Sequence, residues 1–462
     1  MQFKIQLTLL REDGESIEEI ALLDKNDDEL EDLGLTLAES KEILSGIQQR
    51  LLAAQTQAYI KTRRCCKHCG KKHRKKGSYP ITFRTLFGNV ALESPRFYHC
   101  RCQPQPQKTF SLLNDLIGEH TAPELLFLET KWASLVPYGP TAQMLKDVLP
   151  VAETLNAATV RNHLHRVAER EESMLGKEEG VYIDGCPRDW GNLPRPDGPI
   201  MVGIDGGYVR NWDDKKHNFE VIVGKSVPED TPSKYFGFVQ TYDRKPKRRL
   251  YELLQSQGMQ LNQQVTFLSD GGDTVRELQY YLYPFSEHLL DWFHITMRLT
   301  VLGQYLKGVV HVDEKQGHYL QRLLESIKWY LWHGNHVEAL SYLGLMESVI
   351  WNIEDSYPKF KKLEKTLGEF TTYIENNVSG IVNYGERWRY GEAISTAFVE
   401  STVNVLVSKR FCKKQQMQWK PKGAHLLLQT RAAVLNDELG HQFRKWYPSF
   451  RKQGSEEMRR AA

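Results

Sequence analysis

Pro199-Ile200-Met201-Val202-Gly203-Ile204-Asp205-Gly206-Gly207 is an apolar run that ends on an aspartate and two glycines. Val265-Thr266-Phe267-Leu268-Ser269-Asp270-Gly271-Gly272 follows the same pattern. Short apolar runs closed by glycine read as buried strands. Aspartates at the ends of two such strands can reach a common crevice, and the glycines let a backbone or a phosphate come close. Either Asp-Gly alone reads as a turn. Far downstream, Glu400 sits in the helical pattern Ser395-Thr396-Ala397-Phe398-Val399-Glu400-Ser401, and the three carboxylates together form a divalent-metal constellation. Carboxylates converging on one point repel each other unless a cation neutralises them. Asp213, Asp214 and Asp273 compete from loop or helix-start positions, and Glu386 and Glu392 from the less clearly helical neighbourhood of Gly385 and Gly391.

Around these two runs the period stays that of strands. Ile200–Ile204, Phe219–Gly224 and Tyr235–Thr241 read as three consecutive strands, Leu250–Gln257 as a helix and Val265–Ser269 as a fourth strand. Thr274–Tyr283 reads as a helix and His288–Phe293 as a fifth, short strand. Three strands and then helix–strand alternation is the order expected of a ribonuclease H-like α/β fold. Its first part spans 195–294, an all-helical insertion follows over 295–386, and a second part over 387–440 carries Glu400. Trp329, Trp332, Leu340, Leu343, Tyr373 and Ile374 mark the insertion. Asp291-Trp292-Phe293-His294 closes the fifth strand. An Asp and a His there can cap the next helix; beside the carboxylates, His294 can orient a phosphate or donate a proton. Trp292 and Phe293 read as core rather than as base-stacking platforms. Ser401 and Asn404 follow Glu400, Asn404 one turn on and on its face, and Arg410, Lys413 and Lys414 extend that helix toward a nucleic-acid backbone.

Upstream, residues 1–60 read as a strand, an acidic linker and a helix from about Leu37 to Tyr59. Residues 61–110 form a basic, cysteine-rich module in which Pro80 to Tyr98 alternates about Gly88-Asn89, a β-hairpin signal. Residues 111–180 are helical. Thr141 to Leu149 and a second helix, capped by Thr154 or Asn156 and carrying Arg161, Asn162, His163, His165 and Arg166, form a helix-turn-helix across a tight turn. Residues 173–198 read as a connector, and 441–462 as a basic C-terminal tail.

With 462 residues the chain is too long for one core. Its 40% hydrophobic content suits a folded protein, and no apolar run reaches the length of a membrane span. The formal net charge of +3 hides an asymmetry. Residues 1–60 carry 5 Lys/Arg and 13 Asp/Glu, a net of −8, whereas residues 61–108 carry 13 Lys/Arg and 1 Glu, a net of +12. Further basic clusters run over 244–249 and from Lys409 through Lys422. A single charged run is a solvated face; three of them beside a carboxylate site favour a polyanionic partner, nucleic acid.

Five of the seven cysteines fall between positions 65 and 102. An odd count packed this closely argues for a reducing compartment and a metal site rather than a disulfide framework. Cys66 and Cys69 form a C-x-x-C, Cys100 and Cys102 a C-x-C, and the hairpin between them brings two ligand pairs together for a structural zinc ion. Cys65, His68, His73 and His99 can substitute for one ligand. Lys71, Lys72, Arg74, Lys75 and Lys76 make this zinc-ribbon-like module a DNA-binding element. Cys186 and Cys412 read as buried structural thiols.

The set of Asp205, Asp270, Asp291-x-x-His294 and Glu400 resembles the Asp-Asp-Glu transposases of bacterial insertion sequences, of the Kra type allied to Mutator-like elements. The phrases Val202-Gly203-Ile204-Asp205-Gly206-Gly207, Leu268-Ser269-Asp270-Gly271 and Val399-Glu400-Ser401 carry the resemblance, as does the trailing Arg410…Lys413-Lys414…Met417-Gln418-Trp419. With the zinc module and the helix-turn-helix it covers nearly the whole chain. Many relatives carry Cys where Asp291 stands. The resemblance implies a bacterial, cytoplasmic, nucleoid-associated enzyme that binds terminal inverted repeats and target DNA as a homodimer or larger assembly. It implies a two-metal mechanism with Mg²⁺ or Mn²⁺. Asp205 would bridge the two ions, Asp270 and Glu400 would each complete a shell, and His294 and Asp291 would assist. Strand cleavage by water and then attack of the freed 3′-hydroxyl on target DNA follow from it. Another ribonuclease H-like nuclease or a resolvase would share the carboxylates but not the added modules; a domesticated DNA-binding regulator would not need an intact set.

Overall fold

The computed structural model describes all residues except 12–13, 27–28, 103–107, 180–191, 195–197, 273–277, 279–285, 353–356, 358, 413–417 and 452–462, and except the side chains of residues 397 and 400. The chain is mixed α/β and divides into two compact units, Met1–Arg170 with Asp437–Ala462, and Glu171–Asn436.

The first unit opens with an antiparallel hairpin, β1 (Gln2–Arg11) and β2 (Gly14–Asp24). Most of the expected acidic linker is therefore a strand. Its alternation is broken, with Ile17 and Leu22 exposed among Glu15, Glu18, Glu19 and Asp24; Ala21 and Leu23 are buried, and Glu19 pairs with Lys4 at 2.6 Å. The helix Leu37–Arg63 follows, begun by a reciprocal cap in which Thr36 accepts from the Glu39 backbone and Glu39 accepts from that of Thr36. β3 (Lys75–Thr85) and β4 (Gly88–Tyr98) make the expected hairpin, with the turn at 86–87, and β5 (Thr109–Ser111) adds to β4. Gly88, at φ 110°, takes a conformation open to glycine at this corner.

The helices Pro123–Leu135, Tyr138–Val148 and Ala157–Met174 come next. Asn156 rather than Thr154 caps the last, accepting from the backbones of Ala158 and Thr159 at 3.0 and 3.1 Å. The connection between the last two helices runs over 149–156, longer than the tight turn expected of a helix-turn-helix. Within the segment expected as a basic tail, the helix Leu439–Trp446 buries Phe443, and Phe443 and Phe450 both pack on Phe127.

The second unit is built on a five-stranded sheet: β6 (Ile200–Arg210), β7 (Asn218–Val227), β8 (Lys234–Val239), β9 (Val265–Ser269) and β10 (Glu287–Leu290). Their spatial order is β10-β9-β6-β7-β8. β6, β7 and β8 run antiparallel, and β9 and β10 are parallel to β6. The apolar runs of β6 and β9 are buried on both faces, as parallel strands require. The helix Pro246–Ser256 connects β8 to β9; the expected helix Thr274–Tyr283 falls largely outside the described residues. β6 does not end at Asp205: it continues to Arg210 against β7, so Gly206-Gly207 is strand and not turn. β10 stops at Leu290, and a helix starts at Trp292.

Four long helices then pack together: Trp292–Val310, Glu314–Trp332, His336–Trp351 and Phe360–Asn376. Their core is set by helically spaced residues such as Leu320, Leu323, Ile327 and Leu331, or Leu363, Leu367, Phe370 and Ile374. Tyr384 anchors this layer to the sheet by donating to the Leu290 carbonyl at 2.8 Å. The helix Ala397–Val403 and the wider π-turns Asn404–Cys412 then cross β6 and β7.

That crossing depends on Gly203. A Cβ there would run into Val399 and lie 2.7 Å from the Phe398 ring, whereas one at Gly207 would meet Val403 at an ordinary 3.4 Å. Gly203→Ala should therefore destabilise the chain by about 1–3 kcal/mol through overpacking, and Gly207→Ala by less. Thermal unfolding of the two variants checks this ranking.

Candidate functional site

The strand register assembles the acidic cluster. Gly203 pairs with Leu268, so Asp205 and Asp270, each two residues on, reach the same level of neighbouring parallel strands. Ser269 pairs with Leu290, so Asp291 falls beside Asp270. Neighbouring strands lie about 4.8 Å apart, and three aspartates thus stand abreast on β6, β9 and β10. Asp205 is half-buried and accepts from the Gly206 backbone at 2.7 Å. Burial pushes its carboxyl above the ordinary range, and the charges of Asp270 and Asp291 add to the push, while the Gly206 hydrogen bond and His294 oppose it. Asp270 is exposed, follows the end of β9, and accepts from Gly272 at 3.1 Å across a turn in which Gly271 has φ 86°.

Asp291 differs from the other two. It is fully buried, and both oxygens are engaged. One accepts from the backbones of Phe293 (2.9 Å) and Thr396 (3.1 Å), the other from the Thr396 hydroxyl and from His294 Nδ1 (2.7 Å). Such a carboxylate caps a helix, orients a histidine and ties in a distant segment; it has little capacity left for a metal. His294 is raised above its ordinary value by the Asp291 hydrogen bond, with Asp270 and Asp205 contributing and burial opposing. The segment tied by Thr396 leads directly into the helix Ala397–Val403, whose Val399 sits on Gly203 of β6. Glu400 lies on this helix; its side chain is outside the described residues.

One acidic residue was missed in the sequence. Glu220, on β7 opposite Tyr208, reaches within 2.8 Å of where a Cβ of Gly206 would stand. Burial raises its carboxyl, and so do Asp270 and Asp205, which makes it a fourth member of the cluster. Alternation along β7 was the available signal, but without the register nothing aimed it at Asp205. Three of the competitors are engaged elsewhere: Asp213 with Lys420 (3.0 Å), Asp214 with His217 (2.7 Å) and Glu392 with Arg387 (2.8 Å). Asp273 lies outside the described residues.

Single arginines of two basic clusters turn inward, while Arg244, Lys409, Lys420 and Lys422 stay exposed. Arg249 is buried and donates to Asp243 (2.9 Å), Glu172 (2.9 Å) and Gln429 (2.8 Å), and Arg248 pairs with Glu252 at 2.7 Å. Arg410 is 3% exposed and lies 5.4 Å from the Trp419 ring, not on a solvated helix end. Lys413 and Lys414 are outside the described residues. The 71–76 cluster stays on the surface. His163 is also inward, bonded to the buried Glu129. Cys412 is exposed, against the expectation of a buried thiol, and Cys186 is outside the described residues.

In the first unit the four expected cysteines meet. The Sγ atoms of Cys66, Cys69, Cys100 and Cys102 all lie within 4.8 Å of one another, with Cys66–Cys102 at 3.5 Å and Cys69–Cys100 at 3.3 Å. Sulfurs about 2.3 Å from a tetrahedral zinc ion require spacings of this size, so the group can hold one. The knuckle is folded for it: Gly70 (φ 69°) donates to the Cys66 carbonyl, and the backbones of Cys69 and His68 hold the Cys66 thiol down at about 6. The Cys102 backbone lowers Cys100, and Cys100 in turn raises Cys102, so the quartet carries negative charge that a cation would neutralise. Among the described residues the mutually close group consists of these four cysteines, while His73 bonds the Tyr98 carbonyl and packs, with His99, against the Phe110 ring.

Glu172, Asp243 and His425 also lie close enough to hold a metal ion. Arg249 already supplies positive charge there. Burial opposes ionisation of Glu172, yet the His425 hydrogen bond and the Arg249 charge hold its carboxyl at about 2.

The chain matches no protein-family model and no curated protein sequence. Among the described residues no helix is long and apolar enough to cross a membrane.

Two measurements follow from this geometry. The purified chain should carry one zinc per molecule by elemental analysis, and Cys66→Ser or Cys102→Ser should lose it and loosen the 61–110 module to proteolysis. Glu172, depressed in the folded state, contributes stability that is present above its unfolded value and lost as pH falls toward 2. Glu172→Gln should therefore cost up to about 3 kcal/mol at neutral pH, with the gap to the parent chain closing in acid denaturation profiles.

Proposed function

We propose that the chain is a DNA transposase of an insertion sequence, which binds terminal inverted repeats and cuts and joins DNA strands with divalent metal ions. The observation that carries this reading is the level set of Asp205 and Asp270 on neighbouring parallel strands, with the helix of Glu400 tied over β6 through Thr396 and Asp291. The sheet order, three antiparallel strands and then two parallel ones on the far side of the first, supports a ribonuclease H-like catalytic domain. The four-helix layer between β10 and Glu400 supports an insertion into it. The cysteine quartet and the exposed 71–76 cluster support DNA binding by the N-terminal region, and two DNA ends to be joined favour a homodimer.

The residues fit magnesium or manganese. They are hard oxygen donors, and the carboxyls of Asp205 and Glu220 are driven up by burial and by neighbouring negative charge, which a cation reverses. When bound, such ions neutralise phosphodiester charge and activate a water or a 3′-hydroxyl. Asp205, Asp270 and Glu400 would hold them. His294, held through Nδ1 by Asp291 and close enough to feel the charges of Asp205 and Asp270, would donate from its other ring nitrogen to a phosphate oxygen or to a leaving 3′-oxygen. Asp291 acts as a positioning residue, since its own oxygens are spent on Phe293, Thr396 and His294.

The test is a nicking assay with Mg²⁺ or Mn²⁺ on DNA carrying the element's terminal repeat. The parent chain should nick specifically at the ends. Asp205→Asn and Glu400→Gln should each lower the rate about a thousandfold or more while end binding persists. Full cleavage by either variant would remove the assignment.

A further inference from the structure

Among the described residues, nine of the 31 large hydrophobic side chains that stay exposed fall within residues 1–37, under a tenth of the chain. Such a concentration marks an interaction surface rather than scattered exposure. It includes a groove of about 460 Å³ at the start of the β1–β2 hairpin, lined by Met1, Phe3, Ile5, Leu23, Leu33 and Leu35. The hairpin is a sheet of two strands only, so among the described residues each strand keeps one unpaired edge.

The two edges differ. β2 carries Glu15, Glu18, Glu19 and Asp24, and the register shift at Ile5/Gln6 skips Ile20, a bulge on β2. Charges and bulges keep an edge from pairing with another chain. Between Gln2 and Leu10, β1 carries one charged residue, Lys4, and no glycine, proline or bulge. Its backbone direction is set at the start: Met1 donates to the Lys25 carbonyl at 2.6 Å and accepts from the Lys25 backbone at 2.8 Å. Alternation along the strand then turns the backbone groups of the odd residues toward β2 and those of Lys4, Gln6 and Thr8 toward the open edge. Side chains alternate as well: Ile5, Leu7 and Leu9 are half-buried, while Lys4, Gln6 and Thr8 are exposed.

We propose that the open edge of β1 pairs antiparallel with β1 of a second copy of the chain, joining two hairpins into a four-stranded sheet about a two-fold axis. Bonding residues must meet bonding residues, so even numbers face even, and cross-strand partners share a face. The register that pairs the most of Gln2–Leu10 puts Gln6 on the axis. Lys4 then lies opposite Thr8, Ile5 opposite Leu7 and Phe3 opposite Leu9, so that Leu9 of one copy reaches the groove beside Phe3 of the other. The one charge of this edge meets no like charge, and the apolar faces of the two copies become continuous. Paired with itself, the edge of β2 would crowd its carboxylates together. The inference extends the homodimer of the proposed function to the chain without DNA, and does not depend on cleavage.

The test is sedimentation velocity of the full, zinc-loaded chain without DNA, over a range of concentration and salt. A reversible dimer should form below about 100 µM, as a modest interface allows. Residues 1–60 of each copy carry 5 Lys/Arg against 13 Asp/Glu, so the dimer should tighten as salt screens their repulsion. DNA binding weakens under the same change. Thr8 is exposed in the hairpin, so its substitution leaves the β1–β2 pairing in place. Thr8→Lys sets like charges opposite each other at two symmetric positions and should weaken the dimer about tenfold. Thr8→Glu, opposite Lys4, should tighten it. Both variants should keep the zinc content and the thermal midpoint of the parent chain. A monomer throughout that range, a dimer that loosens as salt rises, or one indifferent to the sign of the charge at position 8 would overturn the proposal. Absence of end nicking with this dimer intact would count against the transposase reading alone.

Discussion

A single buried carboxylate holds the second unit's site together. Asp291 has no solvent exposure, and a charge in that position is tolerable only when fully hydrogen-bonded. Its donors come from three places: the start of the helix after β10, the imidazole one turn along it, and Thr396, more than a hundred residues away in sequence. The same hydrogen bonds that make the burial possible therefore fix His294 and bring the helix of Glu400 to β6. Gly203 completes the fit by leaving no Cβ in the way of Val399 and Phe398.

Around that tie, the sheet does the rest by register. Parallel pairing of β6, β9 and β10 sets Asp205, Asp270 and Asp291 at one level, and β7 adds Glu220 from the antiparallel side. Burial, reinforced by the neighbouring charges, raises the carboxyls of Asp205 and Glu220, and the Asp291 hydrogen bond, with those charges, raises His294. A cation, or a protonated histidine, relieves it. The cysteine quartet of the first unit expresses the same physics with softer ligands: thiols crowded within 4.8 Å, charge in excess, and a backbone knuckle arranged to favour thiolate.

The apolar runs into Asp205 and Asp270, the cysteine pairs and the β3–β4 hairpin were legible in the sequence because each is a local pattern with a local cause. What was not legible depends on pairing between distant segments. That Gly206-Gly207 continues β6 follows from β7 lying against it, and the role of Glu220 follows from the same pairing. β2 was read as a linker because acidic residues fall on both of its faces, Glu15 and Glu19 in phase with the buried Ala21 and Leu23. Charge counting does not separate the cations that pair inside: Arg249 and Arg410 stand in basic runs, yet one neutralises Glu172 and Asp243 and the other lies buried near Trp419. His163, one of the residues carried by the second helix of the expected helix-turn-helix, pairs with the buried Glu129, which lies 34 positions upstream.

The most direct test of the central claim, that the β6–β9–β10 edge is a divalent-metal site, is anomalous diffraction at the manganese edge from crystals of the chain grown with Mn²⁺. The account predicts a peak between the Asp205 and Asp270 carboxylates that disappears in Asp205→Asn. No peak there at millimolar Mn²⁺, or a peak only beside Glu172, Asp243 and His425, would contradict it.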